Sequence, residues 1–204
     1  MFIAGLTGNF GMGKSYVLSV FKSLGAITMD SDGIVDQLLK DGKVINEIKN
    51  LVGNRVIDGD GLPDRKYIAD KIFSNKWLRE QVEALLHPLV FKKIDSFIDR
   101  IKDKDKDRLV VIEVPLLFEG GYRDRFSRVI TVYTTQRTAI ERLKDKGISR
   151  NEALRRLKIQ MPIKIKKKLA DYLIDNNGPK QRTRKQVEMI YGSLIQEMRG
   201  QQAS

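Results

Sequence analysis

The residues with the plainest chemical purpose lie near the start of the chain. Gly8-Asn9-Phe10-Gly11-Met12-Gly13-Lys14-Ser15 has the spacing G-x-x-x-x-G-K-[ST], and each part of it answers to a need of a polyphosphate. Glycines reach backbone angles closed to residues with a Cβ, so the loop can curl with its N–H groups pointing inward. A helix opening near Gly13 would add unpaired N–H groups and the positive end of its dipole. Lys14 offers a point charge to the β- and γ-phosphates, and Ser15 a hydroxyl for Mg²⁺. The chemistry expected is the binding of a nucleoside triphosphate.

Such a loop works only between a strand and a helix, and the flanking residues predict both. Phe2-Ile3-Ala4-Gly5-Leu6-Thr7 is a short apolar run suited to a buried strand, and Val17, Leu18, Val20, Phe21 and Leu24 recur at helical spacing. Gly25 then reads as a helix stop before a second strand, Ile27-Thr28-Met29-Asp30. Asp30 and Asp32 follow at its carboxyl end, where open parallel sheets bind ligands. They are candidates for a base or for Mg²⁺ contacts. Ser31 or Asp32 could equally cap the helix predicted by Ile34, Val35, Leu38 and Leu39.

The third strand is Leu109–Val114, an almost unbroken apolar run as a central parallel strand should be. Within it Glu113 stands where an acid could reach Mg²⁺ or its waters. Arg128–Thr134 predicts a fourth strand, Thr135 a helix cap, Tyr172–Asp175 a fifth strand, and Pro179–Met198 a closing amphipathic helix.

Between the second and third strands the patterns are helical, apart from a short strand-like stretch at Arg55-Val56-Ile57. Asp58-Gly59-Asp60-Gly61 reads as a turn; it lacks the spacing and closing Glu of a calcium loop. Asp64 should cap a helix over Arg65–Phe73, and Trp77, Val82, Leu85 and Leu86 should form an apolar face. His87-Pro88 predicts a break before Leu89–Ile101, and Lys102–Asp107 a solvated loop. A lone histidine is by itself a common structural hydrogen-bonder.

After the fourth strand, basic residues crowd: Arg137, Arg142, Lys146, Arg150, Arg155, Arg156 and Lys158, then Lys164, Lys166, Lys167 and Lys168. Ser149-Arg150-Asn151-Glu152 has the capping-box pattern and starts a helix among them. Such a cluster can be a solvated face or a nucleic-acid patch. In a phosphate-loop protein it can also be a lid that excludes water and neutralises charge on the transferring phosphoryl group.

The 204 residues suit one domain, or one carrying an inserted lobe, and 41% hydrophobic content can fill a core. A net charge of +12 favours phosphate-rich partners. Without cysteine, neither a disulfide framework nor a thiolate site is possible. No apolar run approaches the ~20 residues that span a bilayer. With the strand pattern opening at once, no signal peptide and a cytoplasmic location are expected.

Six stretches, in this order, resemble the dephospho-CoA kinase family, P-loop kinases of the nucleotide-kinase type, over nearly the whole chain. They are Gly5-Leu6-Thr7-Gly8 running into Gly13-Lys14-Ser15; Asp30-Ser31-Asp32; Leu85-Leu86-His87-Pro88-Leu89-Val90; Pro115-Leu116-Leu117-Phe118-Glu119; Arg156 with Gln160; and Ala170–Gly178. The resemblance implies an α/β, three-layer P-loop kinase fold with a five-stranded parallel sheet in the order 2-3-1-4-5. It implies a single domain over residues 1–204, with its core at about 1–40, 108–136 and 170–204. A helical substrate lobe would occupy about 41–107 and a basic lid about 137–169.

The reaction implied is transfer of the ATP γ-phosphoryl to the ribose 3′-hydroxyl of dephospho-CoA, the final step to CoA, with Mg²⁺ accompanying ATP. Gly11, Met12, Gly13, Lys14, Ser15 and Tyr16 would hold the ATP phosphates, with Ser15 at the metal. Asp30 would take the hydroxyl proton, and Lys14, Arg142 and Arg156 would be the catalytic cations. Asp32, His87, Leu116 and Phe118 would meet the acceptor. ATP and dephospho-CoA are the expected partners, with neither nucleic acid nor membrane among them and the number of subunits left open.

Three positions depart from the family's pattern: Asp36 stands where a basic residue is usual, Lys146 where an arginine is common, and Tyr16 in place of a threonine. The residues alone also admit a related kinase of a nucleoside or other small alcohol. A nucleic-acid-binding ATPase is a third possibility, disfavoured by sparse aromatics at 7%.

Overall fold

The computed structural model describes residues 1–102 and 108–202, and the stretch 103–107 from the charged segment lies outside them. The chain divides into two compact units, Met1–Asp30 with Asp105–Ser204, and Ser31–Lys104.

The first unit is built on five parallel strands: β1 (Ile3–Thr7), β2 (Ile27–Asp30), β3 (Val110–Glu113), β4 (Arg128–Tyr133) and β5 (Tyr172–Asp175). Their order is β2-β3-β1-β4-β5, as expected. The apolar runs fall on the inner strands because both faces there are covered. Leu6, Val111, Ile130, Val132 and Ile174 meet Val17 and Phe21 of α1 (Lys14–Ser23) and Val187 and Leu194 of α9 (Lys180–Gln202). On the opposite face of β1, Gly5 leaves room for Leu117 and Phe126: a Cβ there would lie 2.5 Å from Leu117 Cδ1. Between β4 and β5 run α6 (Gln136–Lys144), α7 (Arg150–Ile159) and α8 (Ile163–Leu169). The expected caps are present, with Thr135 accepting from the Thr138 N–H and Ser149 from the Glu152 N–H.

The second unit is helical: α2 (Ser31–Leu38), α3 (Gly42–Val52), a 3₁₀ turn at Asn54–Val56, α4 (Arg65–Ser74) and α5 (Lys76–Lys102). The first three of these α-helices pack against α5. Four local expectations need correcting. The strand-like stretch at 55–57 is that 3₁₀ turn followed by a single Ile57–Pro63 bridge. Pro88 does not break the chain: α5 runs through it, since proline removes one N–H and packing of Val82, Val90 and Ile94 outweighs that loss. Trp77 is 60% exposed rather than on the apolar face, where Leu78 is buried instead. Ser31 and Asp32 lie within the first turn of α2 rather than ahead of it. Asp64 caps α4 as expected, and the 58–61 turn is closed by the Asp58 carboxylate, which accepts from the Asp60 and Leu62 N–H groups. No helix among the described residues is long and apolar enough to cross a membrane.

Candidate active site

The glycine loop joins β1 to α1, and its shape depends on left-handed backbone. Gly13 caps α1 with φ 86°, ψ 28°, a region that costs an L-residue with a Cβ roughly 1–2 kcal/mol. Close packing adds a second reason for glycine: a Cβ there would lie 2.2 Å from Asn176 Nδ2. The Asn176 amide, 4% exposed, donates to Met12 O at 2.9 Å and accepts from the Thr183 hydroxyl. The turn after β5 thereby clamps the loop between Met12 and the start of α9. Ser15 is exposed in the first turn of α1. Tyr16 sends its hydroxyl to Lys180 O at 3.1 Å, so what it offers a phosphate is its main-chain N–H.

Lys14 is not a loose surface cation. It is 8% exposed, and its Nζ stands 3.7 Å from Oε1 of Glu113, which is 2% exposed. Glu113 is brought there by register: β1 pairs Leu6 with Glu113, and β2 pairs Asp30 with the same residue across the other edge of β3. Asp30 is exposed at the end of β2, and carboxylate oxygens of Asp30 and Glu113 lie within 4.8 Å of each other. One buried acid therefore sits between the loop lysine and the outermost acid of the crevice. These hard oxygens, together with the Ser15 hydroxyl, are donors of the type Mg²⁺ prefers.

The basic segment leans over the loop from the other side. Arg142 on α6 donates from Nη2 to Asn176 O at 2.8 Å, while its buried Nη1 has no hydrogen-bond partner among the described residues. That nitrogen lies 3.4 Å from the position of a Gly13 Cβ, so a donor is aimed at the loop's rim. Arg156 on α7 pairs with Glu152, one turn earlier, and lays its guanidinium 4.8 Å from the centre of the Phe10 ring. Phe10 N donates to Gln160 Oε1 at 2.8 Å, and Asn9 Nδ2 to Met161 O at 3.1 Å. Lys146 is exposed and past the end of α6.

The remaining predicted residues divide between the units. Leu116 and Phe118 are half-buried in the loop after β3, on either side of the fully buried Leu117. Asp32 is exposed in the first turn of α2, and His87 is half-buried in α5 of the second unit. Burial holds the His87 imidazole below its ordinary value. Asp36, the departure from the basic pattern, is engaged by Arg65 of the same unit.

Sequence reading missed Asn9, Asn176 and Lys166 as individuals. Asn176 stood within a quoted stretch, yet nothing local said that its amide would cross to Met12. Lys166 was one lysine among four in 164–168, and a period-based reading treats such a run as solvated. It is 0% exposed.

A family model for dephospho-CoA kinase matches residues 2–181. A dephospho-CoA kinase of Aquifex aeolicus is 36% identical over 194 residues, covering 95% of this chain and 97% of its own. The crystal structure of TT1252 from Thermus thermophilus superposes with a TM-score of 0.78 at 29% identity, covering 95% of this chain and 97% of that one. A dephospho-CoA kinase from Campylobacter jejuni shares the fold with a TM-score of 0.68 at 23% identity, over 96% and 98% of the two chains. With the family model matched over residues 2–181 and the Aquifex relative matched over almost its whole length, the chain belongs to the dephospho-CoA kinase family and is a kinase enzyme of CoA biosynthesis.

Proposed function

We propose that this chain transfers the γ-phosphoryl group of ATP to the ribose 3′-hydroxyl of dephospho-CoA, giving CoA and ADP. What chiefly supports the reading is the placement of Lys14, at the start of α1, and Asp30, at the carboxyl end of β2, on either side of Glu113 at the end of β3.

In this reading the N–H groups from Gly11 to Tyr16 hold the phosphates, and Lys14 balances charge on the γ-phosphoryl as it transfers. Asp30 accepts the proton of the acceptor hydroxyl. That oxygen forms the new bond to phosphorus, while the bond from phosphorus to the β–γ bridging oxygen breaks and ADP departs. A carboxylate suffices because a loose transition state needs the hydroxyl oriented more than it needs a strong base. Mg²⁺, when bound with ATP, neutralises β- and γ-phosphate charge, with Ser15 as its protein ligand. Arg142 and Arg156 add positive charge from α6 and α7, whose segment 137–169 acts as the lid and excludes water.

The second unit serves as the acceptor lobe, with Asp32 and His87 in it, and Leu116 and Phe118 contribute from the loop after β3. The partners are the two small molecules, without nucleic acid, in the cytoplasm. The test is a coupled assay of ADP release with dephospho-CoA present and absent, run beside adenosine and nucleoside monophosphates. Release driven by dephospho-CoA alone supports the reading; release driven equally by a nucleoside overturns it.

A further inference from the structure

The side chain of Lys166 has no solvent exposure, yet it carries an ammonium group on the most basic stretch of the chain. Nothing in the reaction above uses it. Its Nζ donates to Pro115 O at 2.9 Å and stands 2.8 Å from Glu119 Oε1. The Pro115 carbonyl also accepts from the Thr7 hydroxyl at 3.1 Å, and Glu119 Oε1 also accepts from Met161 N at 2.9 Å. Met161 O receives the Asn9 amide, and the neighbouring Gln160 receives Phe10 N.

Followed in order, these bonds close a circuit. Thr7 leads to Pro115, Pro115 to Lys166, Lys166 to Glu119, Glu119 to Met161, and Met161 to Asn9, two residues after Thr7. The circuit encloses the entry of the glycine loop and ties it to the end of α7, the helix that carries Arg156. Lys166 is the one cation among its members. Its carbonyl is fixed as well, accepting from Thr131 of β4 at 3.4 Å.

We propose that Lys166 is a positioning residue for phosphoryl transfer, its buried ammonium acting with the surface carboxylate of Glu119 as an ionic clasp that holds Asn9 and Phe10, and through them Arg156, in register with the phosphate loop. The reason to use a charge rather than a methyl group is directional: one ammonium satisfies a carbonyl and a carboxylate at once, and apolar packing fixes neither. Burial, helped by the ammonium of Lys14, pushes the Lys166 ammonium below the ordinary lysine range, and Glu119 draws it back up. A charge kept under those conditions is held by its partners. The proposal rests on the glycine loop binding ATP, which nucleotide titration checks independently.

The test is a kinetic cycle on the full chain with Lys166→Met, Glu119→Gln and the double variant, alongside thermal unfolding and ADP titration of each. Lys166→Met keeps the length of the side chain. Glu119→Gln lies at the surface and removes only charge. Each single change should lower kcat by about ten- to a hundredfold, the size expected when a reacting group is displaced by around 1 Å. KM for ATP and Kd for ADP should move less than about threefold, and the double variant should be no slower than the worse single. If Lys166→Met fails to fold, Glu119→Gln alone must still show the loss in kcat. The proposal is overturned if kcat per folded molecule stays within about twofold of the parent, if the two losses multiply in the double variant, or if KM for ATP carries the whole effect.

Discussion

Lys14 Nζ stands 3.7 Å from Glu113 Oε1, and both side chains are almost wholly shielded from water. The cation that the proposed reaction assigns to ATP is thus partnered within the fold itself. A phosphate oxygen must compete with, or share, a carboxylate for that ammonium. With Glu113 beside Lys14, the charge at the loop is closer to neutral than the motif alone suggests.

Replacing Lys14 separates the two jobs. Lys14→Ala should lower turnover by about a thousandfold or more. It should also lower the unfolding midpoint, because a buried carboxylate loses its counter-charge. Adding Glu113→Gln should recover most of that midpoint without recovering turnover. Steady-state kinetics and thermal unfolding on the same three proteins check both outcomes, and near-normal turnover in Lys14→Ala would refute the role.

Asp30 is exposed at the end of β2, so its substitution should leave the core alone. Asp30→Asn should lower kcat by about 10²–10⁴, the range of general-base contributions, while ATP affinity in direct titration stays unchanged. Should ATP affinity fall and turnover at saturating ATP survive, the residue belongs to the metal and not to the acceptor.

Two glycines separate strain from collision. Gly13 and Gly147 have φ values of 86° and 78°, yet a Cβ at Gly147 meets nothing within 4 Å whereas one at Gly13 strikes Asn176. Gly147→Ala should cost about 1–2 kcal/mol in urea unfolding, the penalty of left-handed backbone. Gly13→Ala should cost more than that and weaken ATP binding too, because Asn176 must release Met12. Equal costs for the two substitutions would show that the Asn176 clamp yields freely.

His87 gives a pH signature. Burial lowers its pKa from 6.5, so just below that value the unfolded chain binds the proton more readily than the folded one. The stability it contributes is full above 6.5 and lost as pH falls through the lower folded value. His87→Gln should therefore flatten the decline in unfolding midpoint between about pH 7 and pH 5. A decline of unchanged steepness would mean that carboxylates alone set it.

Much of this was legible in the residue pattern because it is local. The glycine loop, the five strands and the caps at Asp64, Thr135 and Ser149 depend on neighbours within a few positions. The continuity of α5 through Pro88 was not, since tertiary packing decides whether one lost N–H ends a helix. Nor was the burial of Lys166. Its partners Pro115 and Glu119 lie far away in sequence, and a run of lysines carries no mark of which one turns inward. Lys14 and Glu113 were each singled out, but their meeting follows from strand register, which no short motif encodes.

The absent side chain at Gly5 has a consequence for how the loop after β3 can change. Leu117 seats itself in the notch above β1, so the turn carrying Leu116 and Phe118 is pegged to the sheet at its midpoint. The two outer positions can vary without unseating the peg, whereas a Cβ at position 5 would press on Leu117 Cδ1 and the Phe126 ring and force the peg to shift. Under the proposed acceptor role of Leu116 and Phe118, substrate preference would change through those two positions while position 5 stays constrained.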